Sequence, residues 1–423
     1  MKVMVVGGGG REHAIIKKLK ENKKIEKIYA LPGNGGMAND AECVSIGAKD
    51  IEAQVEFAVK NSIDYAVVAP DDPLVLGAVD ALTDAGIPCF GPNKNAAIIE
   101  GSKVFSKNLM KKYGIPTAQY EVFDNAQDAV KYLETAPIPT VIKADGLALG
   151  KGVIIAETRK DAIDAVHSMM EDKVFGESGS RIVIEEFLTG PEVSVLCFTD
   201  GKCLKPMVSS MDHKRALDND EGLNTGGMGT IAPNPCYTED VAKECMEKIF
   251  IPTMEAMNKE GRTFKGCLYF GLMLTPNGPK VIEYNCRFGD PETQVVLPLL
   301  KSDLFDIMRS VANGTLSEQE VEFSNGAAAC VIAASKGYPQ KYDKGFEITE
   351  ENLPADSFVY HAGTSFKNGK VVTNGGRVLG ITATADALEE AIKKAYAASE
   401  KVHFENKYQR SDIGKKALAI LNK

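Results

Sequence analysis

Glu283, Asn285 and Arg287 follow one another at intervals of two in the stretch Val281 to Gln294, Val-Ile-Glu-Tyr-Asn-Cys-Arg-Phe-Gly-Asp-Pro-Glu-Thr-Gln. Val281 and Ile282 read as strand, and a two-residue period places side chains on one face of a strand. A carboxylate and an amide oxygen on one face suit a hard cation such as Mg²⁺, which is held by few protein oxygens together with nucleotide phosphates. Arg287 adds a planar fork for an anion. Gly289, Asp290 and Pro291 then turn the chain. A charged strand end running into a turn is the plainer account of a lone Glu-x-Asn; the density of ligand types here favours a binding site.

A second chemical cluster is the loop Ala144-Asp145-Gly146-Leu147-Ala148-Leu149-Gly150-Lys151-Gly152, which joins two strands. It lacks the Gly-x-x-x-x-Gly-Lys-Ser/Thr pattern, so it is not a P-loop. A glycine-rich hairpin can instead fold over phosphates and expel water, with Lys143 reaching a phosphate as a point charge. Glu185-Glu186-Phe187-Leu188 ends another strand with paired carboxylates and an apolar wall, the makings of an adenine slot. Further on, Met211-Asp212-His213-Lys214-Arg215 gathers titratable groups, and Asn224-Thr225-Gly226-Gly227-Met228-Gly229 is a loop of free amides.

The elements that must position these groups follow from the order of apolar runs. Short strands at Val3 to Val6, Lys27 to Leu31, Cys43 to Ile46, Tyr65 to Ala69 and Cys89 to Gly91 alternate with helices near 11–20, 51–60 and 74–85, the pattern of a doubly wound parallel sheet. Ligands of such sheets sit beyond the carboxyl ends of the strands, which singles out Gly7 to His13, Pro32 to Gly36 and Pro70 to Pro73. The glycine run fails the dinucleotide fingerprint, because Glu12 or His13 stands where the third glycine belongs and Leu31-Pro32-Gly33 replaces the ribose-binding acid. Nicotinamide binding is rejected; a tight turn and a phosphate contact at a helix start both stay open. A helix is expected from Pro92 to Gly114, then strands Thr140 to Lys143, Gly152 to Ala156 and Arg181 to Glu185 with a helix over 159–170. A helix near 238–260 precedes a hairpin, Cys267 to Leu274 with Lys280 to Tyr284, and 295–312 is helical. Short strands and one helix over 387–398 make a small α+β unit beyond Gly326.

With 423 residues, 44% hydrophobic and 25% charged, the chain is an ordinary globular protein of several domains. A net charge of −9 argues against nucleic acid as a bulk partner. Nine scattered cysteines without Cys-x-x-Cys fit reduced thiols rather than zinc or disulfides. No apolar run approaches the roughly 20 residues of a membrane span, and the start lacks a signal-peptide core. A soluble cytoplasmic protein is expected.

Taken together, Gly10-Arg11-Glu12-His13-Ala14, Pro32 to Gly36, Lys143 to Gly152, Pro191-Glu192-Val193-Ser194, Asn224 to Gly229 and above all Arg287-Phe288-Gly289-Asp290-Pro291-Glu292-Thr293-Gln294 resemble the phosphoribosylamine–glycine ligase family of purine biosynthesis. The resemblance covers nearly the whole chain. It implies a pre-ATP-grasp domain over 1–102, an ATP-grasp domain over 103–325 with a mobile lid near 118–188, and a small C-terminal domain over 326–423. It also implies ATP-dependent joining of glycine to 5-phospho-β-D-ribosylamine through a glycyl phosphate, with Mg²⁺ (or Mn²⁺) and small-molecule partners only, in a monomer. By the same resemblance Glu283 and Asn285 match metal ligands. Lys103, Lys143, Gly150 and Lys151 match phosphate contacts, Glu185, Glu186, Phe187 and Leu188 an adenine hinge, and Glu192 a ribose contact. Asp212 and Arg287 would face glycine and the acyl phosphate, Lys143 and these two being the catalytic set. Gly9, Gly10, Arg11, Asp71 and Arg377 would face phosphoribosylamine. The chain departs from the family pattern at Asp71, where glutamate is common, at Leu223, a frequent proline, and at Tyr284, a frequent phenylalanine. The strand Leu268 to Leu274 also lacks the carboxylate that many ATP-grasp enzymes give a second metal.

Overall fold

The computed structural model describes residues 1–147 and 152–422. Its first sheet is five-stranded and wholly parallel, in the order Glu42–Cys43, Lys27–Pro32, Lys2–Gly7, Tyr65–Val68, Cys89–Phe90. Strand order reverses between Lys2–Gly7 and Tyr65–Val68, so the loops that follow these two strands border the crevice where such sheets bind ligands. Gly9 lies in the first of these loops, and Gly10, Arg11 and Asp71 open the helices that follow. The helices Gly10–Leu19 and Asp71–Leu76 start directly from them.

A four-stranded antiparallel sheet, Tyr120–Phe123, Ile182–Glu186, Thr140–Ala144, Val153–Ala156, has its own apolar core with the helices Ala126–Leu133 and Arg159–Met170. A second antiparallel sheet has the order Leu204–Pro206, Glu192–Thr199, Gly266–Thr275, Gly278–Asn285, and Lys143 of the first antiparallel sheet donates to Ile282 O of its last strand. The last sheet is composite. Met211–Asp212 and Gly229–Ala232 from the middle of the chain pair into Ala327–Ser335, Arg377–Ala385 and Ser357–His361. One continuous core binds the modules: Val3, Val5 and Ile15 pack in the same cluster as Phe198, Phe288, Val295 and Cys330. Among the described residues no helix is long and apolar enough to cross a membrane.

Several expected elements divide in two. The helix expected over 92–114 is broken at Ser102, whose extended backbone lets its hydroxyl accept from Phe105 N–H and cap a second helix, Lys103–Tyr113. The helix near 238–260 widens into a π turn over Met246–Phe250, just ahead of Pro252, whose ring would collide with the carbonyl four residues back in a regular helix. Residues 71–84 form two short helices joined at Gly77.

Candidate active site

Strand Gly278–Asn285 lies at the edge of its sheet, and its alternation changes midway. The ladder with Gly266–Thr275 pairs Leu272 with Val281 and Gly271 with Glu283, so Ile282 is bulged out. Before the bulge Pro279 and Val281 are buried; beyond it Tyr284 and Cys286 are, leaving Glu283 and Asn285 half-buried on the cleft side. Burial opposes the charge of Glu283, but Lys214, Lys143, Lys103 and Arg287 outweigh it and hold the carboxyl below its ordinary range. Four cations thus surround one carboxylate. That excess of positive charge suits a polyphosphate, and a carboxylate with a neighbouring amide oxygen suits the hard cation that accompanies one. No group of three or more His, Cys, Asp or Glu able to hold a metal occurs among the described residues, so a metal here would rely on ligand oxygens.

Arg287 closes this row. Its Nη2 lies 3.0 Å from Glu100 Oε1, 3.7 Å from Asp71 Oδ2 and 3.4 Å from Asn285 Oδ1, while Nε is buried without a partner among the described residues. Burial would lower the guanidinium pKa, but Glu100 and Asp71 raise it further. Burial works against the Asp71 carboxylate, yet Arg287 and Arg11 hold it low. Arg11 itself donates to Glu12 at 2.5 Å and to Phe288 O at 3.2 Å, and Glu12 accepts from Gly9 N–H. The glycine run is crowded rather than open: side chains at Gly8 and Gly10 would strike the backbone of Gly33 and the amide of Gln294.

Asp212 lies on the edge strand of the composite sheet. Burial, and then Glu292, push its carboxyl well above the ordinary value. It accepts from His213 N–H at 2.8 Å. Lys214 pairs with Glu192 at 3.0 Å and approaches Glu283 at 3.9 Å. Glu192 is thereby linked to the cation cluster. Arg377 reaches in from the last module, donating to Asp290 O at 2.8 Å and to Gly226 O at 2.5 Å. It ties the amide-rich loop to the Asp290 turn.

At the four-stranded sheet that holds Thr140–Ala144 and Ile182–Glu186, Lys143 and Lys107 both lie against Glu185 Oε2, at 3.0 and 3.1 Å. Lys143 also donates to Ile282 O at 3.0 Å. Glu186 accepts from Lys280 at 2.9 Å and from Gln119 N–H. Phe187 and Leu188 follow, half-buried. Lys103 donates to Gly146 O at 3.0 Å, and Asp145 accepts from Ser102 Oγ and Val104 N–H, so the start of the Lys103–Tyr113 helix is fastened to the glycine loop. Gly150 and Lys151 lie outside the described residues.

The fold therefore brings Lys103, Lys143, Lys214 and Arg287 about Glu283, with Asn285 and Asp71 beside Arg287, Asp212 near Lys214 and Arg377 reaching in from the last module. Sequence reasoning passed over Glu100, Lys107, Tyr269 and Glu292. Glu292 accepts from Ser194 Oγ and Tyr269 OH at 3.3 and 3.2 Å in a buried knot. Only Glu292 stood inside a marked motif; Glu100 and Lys107 look like ordinary helix residues in the sequence.

Three family models match in chain order: phosphoribosylglycinamide synthetase N domain over 1–100, its ATP-grasp (A) domain over 101–293, and its C domain over 328–416. A phosphoribosylamine–glycine ligase of Caldanaerobacter subterraneus subsp. tengcongensis is 52% identical over 98% of this chain and 99% of its own length. A crystal structure of phosphoribosylamine–glycine ligase from Thermotoga maritima superposes with a TM-score of 0.85 at 36% identity, covering 98% of this chain and 100% of that one. The biotin carboxylase domain of Hydrogenobacter thermophilus 2-oxoglutarate carboxylase, at 16% identity and a TM-score of 0.75 over 96% of this chain and 91% of that one, shares the fold alone. The chain belongs to the phosphoribosylglycinamide synthetase family.

Proposed function

We propose that the chain is an ATP-grasp ligase that joins glycine to 5-phospho-β-D-ribosylamine, giving glycinamide ribonucleotide, ADP and phosphate in purine biosynthesis. Family membership along the full chain supports the reaction. The observation that carries the residue roles is the ring of Lys103, Lys143, Lys214 and Arg287 about Glu283.

In this reading a carboxylate oxygen of glycine attacks the γ-phosphorus of ATP, and the bond to the β–γ bridging oxygen breaks to release ADP. The amine nitrogen of phosphoribosylamine then attacks the glycyl carbonyl carbon. The C–O bond breaks, phosphate departs with the electron pair, and the nitrogen loses a proton. Such transfers need alignment and charge neutralisation more than covalent help from the protein. Lys103 and Lys143, with Gly150 and Lys151, take the phosphates. Glu185 to Leu188 hold the adenine and Glu192 the ribose. Arg287 steadies the acyl phosphate, and Asp212 faces the amino group of glycine. Glu283 and Asn285 hold Mg²⁺ (Mn²⁺ being the alternative), whose bound form would neutralise charge on the transferring phosphate. Gly9, Gly10, Arg11, Asp71 and Arg377 border the phosphoribosylamine pocket at the switch point of the first sheet. The protein works as a cytoplasmic monomer on small molecules, with domains near 1–102, 103–325 and 326–423. Following ADP release against each substrate tests this assignment: turnover with another acid–amine pair, and none with this one, would overturn the substrates while leaving the fold untouched.

A further inference from the structure

The Lys107–Glu185–Lys143 knot is more heavily built than a lid hinge requires. Glu185 is 4% exposed, Lys107 2% and Lys143 4%. Both ammonium groups converge on the same carboxylate oxygen, Oε2. The other oxygen, Oε1, is buried and has no hydrogen-bond partner among the described residues. Leaving a buried acceptor unsatisfied is costly, and more so for a charged group. The free oxygen sits on the strand that runs directly into Glu186, Phe187 and Leu188, the apolar wall of the proposed base slot.

Geometry explains the division between the two oxygens. Val141 pairs with Glu185 and Lys143 with Val183, so Glu185 and Lys143 are diagonal neighbours on one face of the lid sheet. Lys107 comes from the Lys103–Tyr113 helix and also donates to Thr117 Oγ1 at 2.8 Å. Thr117 in turn donates to Val281 O at 2.8 Å. Lys107 is thereby fixed from the core side and cannot follow the lid. Two anchored cations on Oε2 hold the carboxylate plane in place.

An ionised carboxylate only accepts hydrogen bonds. We propose that Lys107 is a specificity-determining positioning residue: by locking Glu185 as an acceptor with one oxygen free, it makes the base slot select a purine carrying an exocyclic amino group at position 6 over one carrying an oxo group there. The inference rests on the assignment of Glu185 to Leu188 as the base slot. An amino group would satisfy Oε1, whereas a 6-oxo purine would set an acceptor against it. Without Lys107, Glu185 is held by one anchored cation instead of two, and its carboxylate is free to turn. A carboxylate that turns no longer sets an acceptor at a fixed place, and the slot tolerates either base.

The test compares kcat/KM for ATP and inosine triphosphate in the wild-type chain and in Lys107→Met and Lys107→Arg, with glycine and phosphoribosylamine saturating. Sites built to pair a polar group reject the mismatched analogue strongly, and the wild type is expected to favour ATP by about 100-fold or more. Lys107→Met should reduce that ratio at least tenfold, chiefly by gaining activity with inosine triphosphate, and Lys107→Arg should restore most of it. Equal losses with both nucleotides, the ratio unchanged, would make Lys107 a tie between lid and core and overturn the proposal. If Lys107→Met does not fold, Glu185→Gln carries the same comparison, because the amide can donate to an oxo group; an unchanged ratio there would also overturn it. Failure of the underlying slot assignment looks different: wild type and Glu185→Gln would bind ATP equally well in a direct titration.

Discussion

Glu283 stands directly across the ladder from Gly271, and a β-carbon at Gly271 would lie 3.1 Å from Glu283 Cγ. The partner strand thus leaves space for the carboxylate just past the bulge at Ile282. Glu283→Gln removes the one charge available to a cation there, and turnover supported by Mg²⁺ is expected to fall by at least 100-fold with the thermal midpoint little changed. Near-normal turnover would remove Glu283 from the metal site. Gly271→Ala should act more mildly, raising several-fold the Mg²⁺ concentration for half-maximal rate.

Asp71 is held beside Arg287 at the edge of the first sheet. Asp71→Ala is expected to raise KM for phosphoribosylamine more than KM for ATP, because its helix borders the crevice of the parallel sheet and not the lid. Equal changes in both constants would mean that the amine site lies elsewhere.

Arg377 joins two loops that are distant in sequence, through the carbonyls of Gly226 and Asp290. Charge-assisted bonds of this kind contribute on the order of 1–3 kcal/mol. Arg377→Met should therefore lower the thermal midpoint by several degrees, and speed proteolytic cleavage within 224–229. An unchanged cleavage rate would show that the loop is held by other contacts.

Two buried histidines make the fold sensitive to acid. His13 donates from Nε2 to Asp40 and accepts at Nδ1 from His361 N–H; His213 bonds Gly229 O through Nδ1 and accepts from Gly414 N–H at Nε2. Each ring is fixed as one neutral tautomer. Burial lowers both from 6.5 to about 4. The unfolded chain binds these protons first, so stability present above pH 6.5 is lost as pH falls from about 6.5 to about 4. Each histidine contributes on the order of 3 kcal/mol, since a tenfold change in proton affinity is worth roughly 1.4 kcal/mol. Thermal midpoints should drop steeply over that window. His213→Gln should make the drop shallower; an unchanged slope would contradict the assignment.

Much of this architecture is written locally. The helices Ile51–Lys60 and Arg159–Met170 have the bounds their sequences predict, because Asp50 and Thr158 cap them with their own side chains. The break at Ser102 carried a signal too, since serine is a favoured cap, but the apolar run around it concealed the interruption. The bulge at Ile282 had none. Strict alternation would put Val281 on the same face as Glu283, and only packing against Gly266–Thr275 decides otherwise. The long-range partners were equally hidden. Nothing near Lys107 points to Glu185, and nothing near His13 points to His361 N–H, 348 residues away. Motif density marked Glu283 to Arg287, while the three lysines that join Arg287 about that carboxylate, Lys103, Lys143 and Lys214, come from three separate parts of the chain.

ADP release from MgATP, with glycine and freshly formed phosphoribosylamine added singly and together, tests the ligase assignment most directly. Sustained release is predicted only when both are present, with glycinamide ribonucleotide formed in equal amount. Release that is indifferent to phosphoribosylamine, or nucleotide binding without turnover under any combination, would contradict it.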